Sequence, residues 1–206
     1  MVVSYSKNFI FLRIPKNASS TLAKYFVDQC DKSTDKWTIL HYSGIRENGI
    51  PKDVVYKYAL QYQHVHLTLQ QIVDEKIITI QDAESMKKIA VIRNPLERQL
   101  SLYFFLMKNK NKNPEIEDFR NTFSEGRHKT DINNRNTQLN YVKLNNTIAP
   151  NTELWKYEDI QKYLPQKLEY INTSYKPKNL HEYYDDKTKK AVEEYYAEDI
   201  EMYSKL

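Results

Sequence analysis

Two short apolar runs, each closed by a polar turn and followed by helical spacing, constrain this chain most. Asn8-Phe9-Ile10-Phe11-Leu12-Arg13-Ile14 ends at Pro15, and Ser19 to Cys30 follows with Leu22, Ala23, Phe26 and Val27 on one side. Ile89-Ala90-Val91-Ile92 ends at Arg93-Asn94-Pro95, and Leu96, Leu100, Phe104 and Met107 then recur as a helix stripe. Runs that are apolar throughout read as strands buried on both faces. Asn94 can cap the second helix, and Pro95 suits its first turn. The alternation predicts an α/β domain with a mainly parallel central sheet.

Thr68 followed by Gln71 fits a capping box, so a helix starts there and His66 lies on the loop before it. Leu154–Tyr157 and Tyr170–Asn172 read as short strands. Ala191, Val192, Tyr195, Tyr196, Ile200 and Tyr203 predict one C-terminal amphipathic helix. Residues 31–63 are polar, with Gly44, Gly49 and Pro51 marking turns, and resist assignment. Residues 108–135 are polar with charges of both signs, and read as a solvated insertion or an acceptor-side segment. A length of 206 residues suits one domain, 1–206.

A net charge of +4 permits an anionic ligand but falls short of a dedicated nucleic-acid binder. The single cysteine, Cys30, excludes an internal disulfide and a multi-cysteine metal site. No clustered carboxylate or Cys/His set has metal-ligand spacing, so no metal is expected. The apolar runs are too short to span a membrane, and Met1–Lys7 lacks a charged-then-apolar leader. The expectation is a cytoplasmic protein with no integral membrane segment.

The first turn, Arg13-Ile14-Pro15-Lys16-Asn17-Ala18-Ser19-Ser20-Thr21-Leu22, joins strand to helix. Unpaired amides at a helix N-terminus attract anions, and the small residues Ala18, Ser19 and Ser20 permit close approach. Hydroxyls of Ser19, Ser20 and Thr21 add donors, and Lys16 adds a point charge. The turn has no glycine and no Gly-Lys-Ser/Thr ending, so it is not a Walker A loop. In the second turn Arg93 stands at the carboxyl end of a strand, where open α/β sheets bind ligands. Ser101 lies one helical turn beyond Arg98, and arginine with serine suits a phosphate. Taken singly, each turn also fits a polar-capped helix with surface cations.

Together, and in this order, the turns resemble the PAPS-dependent sulfotransferases, which use 3′-phosphoadenosine 5′-phosphosulfate. The first resembles the family's 5′-phosphosulfate loop. The second resembles its 3′-phosphate segment, matched at Arg93, Asn94, Pro95, Arg98, Ser101 and Tyr103. His66-Leu67-Thr68, Tyr157-Glu158-Asp159-Ile160, Asn172–Lys178, Tyr183–Asp185 and Tyr195–Ile200 resemble carbohydrate sulfotransferases and their small bacterial relatives. The family often carries Gly or Thr where this chain has Ala18 and Ser20. Residues 31–63 and 108–135 are least covered.

The resemblance implies a P-loop-kinase-like three-layer domain, PAPS as donor and PAP as product. It assigns Lys16 and the amides and hydroxyls of Asn17, Ala18, Ser19, Ser20 and Thr21 to the 5′-phosphosulfate. It assigns Arg93 and Ser101 to the 3′-phosphate. Lys176 and Lys178 stand on a C-terminal loop that can close over the nucleotide, although paired surface lysines are also simply solvated. Lys16 can neutralise the leaving phosphate oxygen. A histidine can take the acceptor's proton, with His66 first, His64 second, and His41, His128 and His181 behind them. The acceptor implied is a carbohydrate hydroxyl, with a lipid, small-molecule or tyrosine hydroxyl left open. A nucleotide-dependent kinase-like phosphotransferase and a non-catalytic nucleotide- or glycan-binding module of the same fold are the alternatives.

Overall fold

The computed structural model describes residues 1–31, 33–47, 50–57, 65–126, 137–165, 167 and 179–206; for 36–47, 50–57 and 180 it describes the backbone alone. Its strands are β1 (Val2–Ser4), β2 (Phe9–Leu12), β3 (Lys36–Glu47), β4 (Ile50–Lys57), β5 (Lys87–Ile92), β6 (Lys143–Leu144), β7 (Thr147–Ile148) and β8 (Thr152–Lys156). Its α-helices are α1 (Ser19–Val27), α2 (Leu69–Asp74), α3 (Ile80–Ser85), α4 (Pro95–Asn109), α5 (Ile116–Ser124), α6 (Asp186–Tyr195) and α7 (Ala197–Ser204).

Six strands form one sheet in the order β4-β3-β1-β2-β5-β8, and β6 pairs with β7 apart from it. The centre is parallel: β2 runs with β5, and β5 with β8. On the far side β1 pairs antiparallel with both β2 and β3, and β3 with β4. The α/β class therefore holds, with its parallel part where the two turns emerge.

The alternation of side chains along β2 and β5 explains why both runs are apolar throughout. Ile10, Leu12, Ala90 and Ile92 face one core with Leu69 of α2 and Met202 of α7. Phe9, Phe11, Ile89 and Val91 face the other, with Leu22 and Phe26 of α1. Phe26 anchors that side, its ring 4.6 Å from Phe11 and 5.8 Å from Trp155. Removing such a ring costs about 3–5 kcal/mol. A third cluster joins α4, α5 and α6 through Phe104, Phe119 and Val192.

The caps read from the sequence hold. Thr68 and Gln71 form the reciprocal capping box of α2. The Asn94 side chain accepts the Leu96 amide, and Pro95 is in the first turn of α4. Two expectations change. The polar stretch after 108 is partly packed structure, because Phe119 and Phe123 bury α5 against α4. The single C-terminal helix is two, broken at Tyr196, whose backbone (φ −109°, ψ 29°) leaves helical space while its side chain is fully buried. Residues 31–63, unassigned in the sequence, contain the β3–β4 hairpin, with a register shift between His41 and Arg46. The strand expected at Tyr170–Asn172 lies outside the described residues.

Candidate active site

The carboxyl ends of β2, β5 and β8 bring three chain segments together. From β2 come residues 13–18, from β5 comes Arg93, and from β8 comes Tyr157. Arg93 links all three: its Nη1 donates to the Lys16 carbonyl at 3.2 Å, and its guanidinium carbon lies 4.4 Å from the Tyr157 ring centroid. Its Nε and Nη2 donate to Glu97 Oε2 at 3.4 and 3.3 Å. Arg93 is buried, so this hold fixes the fork. Of the five N–H donors of a guanidinium, one on each Nη makes no hydrogen bond among the described residues.

The first turn is a concave backbone. Lys16 and Ala18 both have positive φ, 69° and 56°, and Ala18 caps α1 without a side-chain bond. Successive amides in such a turn form an anion-binding concavity. The Leu22 amide is the first to reach back, to the Ala18 carbonyl at 3.0 Å. The amides of Ser19 to Thr21 have no carbonyl one turn behind them in the helix. Ser20 is half-buried, its Oγ 3.4 Å from Arg13 Nη2, while Ser19 and Thr21 are buried.

Lys16 is half-buried with its ammonium 4.3 Å from the Phe105 ring centroid. Burial, then Arg93 and Lys108, lower its pKa to about 8. An ammonium held by a ring and repelled by two cations gains from an incoming anion. Ser101 shares the α4 face of Phe105, one turn earlier. It is half-buried, and its hydroxyl makes no hydrogen bond among the described residues.

His66 lies beside the same turn. Its Nδ1 sits 2.6 Å from the Arg13 carbonyl, which can only accept, so Nδ1 carries the proton and Nε2 the lone pair. Burial and the nearby Arg13 push its pKa down to about 3. The ring is thus neutral, with Nε2 able to accept a proton.

Other sequence-predicted residues divide. The Asn17 side chain turns inward, its Nδ2 donating to the Val91 carbonyl and to Gln138 Oε1, both at 2.6 Å, so it braces the loop. His64, Lys176, Lys178, His128 and the His41 side chain lie outside the described residues. His181 is exposed on a short 3-10 turn. Tyr103, part of the matched segment, is structural: its hydroxyl donates to the Glu115 carbonyl at 2.8 Å and accepts the Glu115 amide at 3.0 Å. Arg98 is fully buried, and its Nε donates to the Pro15 carbonyl at 3.2 Å, buttressing the first turn from α4.

Sequence reasoning missed Gln138 and Asp199, which tie these segments together from a distant part of the chain. Their only sequence signal is a polar residue beside apolar ones: Gln138 precedes Leu139, and Asp199 precedes Ile200. A cavity of about 730 Å³ between α4 and α5 is lined by Leu102, Leu106 and Phe119. It meets the α4 face opposite Ser101 and Phe105, away from the two strand-end turns. Among the described residues, no group of His, Cys, Asp and Glu could hold a metal ion, and no helix is long and apolar enough to cross a membrane.

The family model described as the sulfotransferase family matches residues 1–158, which include both turns, His66 and all of β8. No curated protein and no solved structure matches the chain.

Proposed function

Because the chain belongs to the sulfotransferase family, we propose that it transfers a sulfuryl group from PAPS to an acceptor hydroxyl, on a carbohydrate, within one domain. The observation that carries this is the Arg93–Lys16 junction, which sets the two turns side by side at the strand ends. The groups lining them suit a donor with phosphate at two places: Lys16, the helix amides and Ser20 on one side, Arg93 and Ser101 on the other.

The donor supplies an activated sulfuryl group whose bond to the 5′-phosphate breaks as the acceptor oxygen bonds to sulfur. Lys16 and the amides of residues 18–21 stabilise the charge that grows on the departing phosphate oxygen. Arg93 and Ser101 hold the 3′-phosphate and so fix the nucleotide's register. His66 receives the acceptor's proton at Nε2, the nitrogen its Arg13 contact leaves unprotonated. Its low pKa in the free protein rises when an anion enters beside Arg13 and Lys16. Lys176 and Lys178 close over the nucleotide from the C-terminal loop, and His64 is the second base candidate. The protein works in the cytoplasm.

The test is transfer of labelled sulfate from PAPS to a panel of glycans. Turnover is expected on at least one, and Lys16→Ala should lower it by about 10²–10³-fold, the range for removing a focused charge-stabilising donor. A Lys16→Ala protein as active as its parent sinks this mechanism. Transfer of phosphate from ATP would instead establish the kinase-like alternative.

A further inference from the structure

One buried amide holds both anion-binding turns. Gln138 is fully buried. Its Oε1 accepts the Arg93 amide at 2.9 Å, and its Nε2 donates to the Arg93 carbonyl at 2.8 Å. A side-chain amide thus pairs with both backbone groups of Arg93 as a neighbouring strand would, just past the end of β5. The same Oε1 accepts Asn17 Nδ2 at 2.6 Å. Asn17 stands between Lys16 and Ala18, the two positive-φ residues of the first turn. Gln138 is itself held from α7, where buried Asp199 accepts the Gln138 amide at 2.7 Å and the Leu139 amide at 2.8 Å.

We propose that Gln138 is a positioning residue that sets the register between the two donor-binding turns, with Asp199 as its anchor. The proposal rests on the donor reading above. The two phosphates of PAP are fixed to one ribose, so their separation is nearly rigid. A rigid ligand with two charged ends binds best to two sites already held at the matching distance. Gln138, fully buried, bridges those sites through their backbone and Asn17. Its effect on affinity therefore acts through the simultaneous grip of both turns, and disappears when one grip is lost.

This gives a readout that simple destabilisation would not move. Gln138→Met preserves volume while removing the amide, and Gln138→Glu keeps acceptors for Asn17 and the Arg93 amide while losing the Nε2 donor. Each is compared with wild type for melting temperature and for PAP affinity by calorimetry, below the melting transition. The same substitutions are then made in Arg93→Ala protein as a double-mutant cycle. The expected result is a PAP dissociation constant raised roughly tenfold or more in otherwise wild-type protein, and less than about threefold in the Arg93→Ala background. An unchanged affinity in either folded variant, or an equal loss in both backgrounds, overturns the proposal. Wild-type protein that ignores PAP removes the donor reading and this proposal with it. Wild-type binding with unaffected Gln138 variants removes this proposal alone.

Discussion

The Lys16 ammonium lies over Phe105, with burial, Arg93 and Lys108 lowering its pKa to about 8. In the free protein it begins to lose its proton as the pH rises through that value. An anion binds the protonated form, so association there takes up a proton. The PAP association constant should be level from pH 6.5 to 7.5 and fall as pH rises beyond about 8. Lys16→Arg stays charged throughout and should flatten the fall. Calorimetric titrations across this range check both, and parallel slopes for the two proteins would contradict the assignment. His66 works in the opposite direction. Its folded pKa of about 3 lies below its ordinary 6.5, so between these values the unfolded chain binds a proton that the folded protein refuses. Stability therefore rises with pH through that window, and the contribution is lost as pH falls from 6.5 toward 3. His66→Asn can still donate to the Arg13 carbonyl, so it should keep the fold and PAP affinity. It should also melt with a shallower loss between pH 7 and pH 4, and lose most sulfate transfer. Melting curves and transfer rates on that one variant test both roles; parent-rate transfer would move the base elsewhere.

Local elements explain what the sequence discloses and what it hides. The α4 start is legible because its signals are local: Asn94 caps, Pro95 enters the first turn, and the apolar stripe repeats by turns. The break at Tyr196 is not legible, since Ala191 to Tyr203 keep helical spacing on both sides and tertiary burial of one ring decides the break. Nor is the first turn's backbone. Small residues at 18–20 announce room for an anion, but the positive φ of Ala18 appears only in the structure. That conformation suits glycine and costs an L-residue about 1–3 kcal/mol. Ala18→Gly relieves the strain but adds freedom to the unfolded chain. A net stabilisation of about 1 kcal/mol, or a rise of roughly 2–4 °C in Tm, is expected with PAP affinity retained. Thermal melts with and without PAP measure it, and a lower Tm would mean that Ala18 is not strained.

Across the whole molecule, the parallel centre β2-β5-β8 and the loops at its carboxyl ends were readable, because each strand and turn is contiguous in sequence. The short β1 and the β3–β4 hairpin were not, since their pairing depends on partners distant in the chain. The same holds for the candidate site. Lys16, Arg93, Ser101 and His66 stand in local motifs, whereas Gln138 and Asp199 act through contacts spanning 45 and 61 residues. On the proposed reading, the fold turns these scattered residues into one arrangement that would distinguish nucleotides by their 3′-phosphate. Comparing the melting temperature with PAP and with adenosine 5′-monophosphate, at equal concentration, tests that directly. The two differ only in the 3′-phosphate. At about a hundredfold excess over its dissociation constant, PAP should stabilise by roughly 3 kcal/mol, or about 5–10 °C, and the 5′-monophosphate far less. Arg93→Ala should erase most of the difference. Equal stabilisation by the two nucleotides, or a larger shift with ATP and Mg²⁺, would contradict the account.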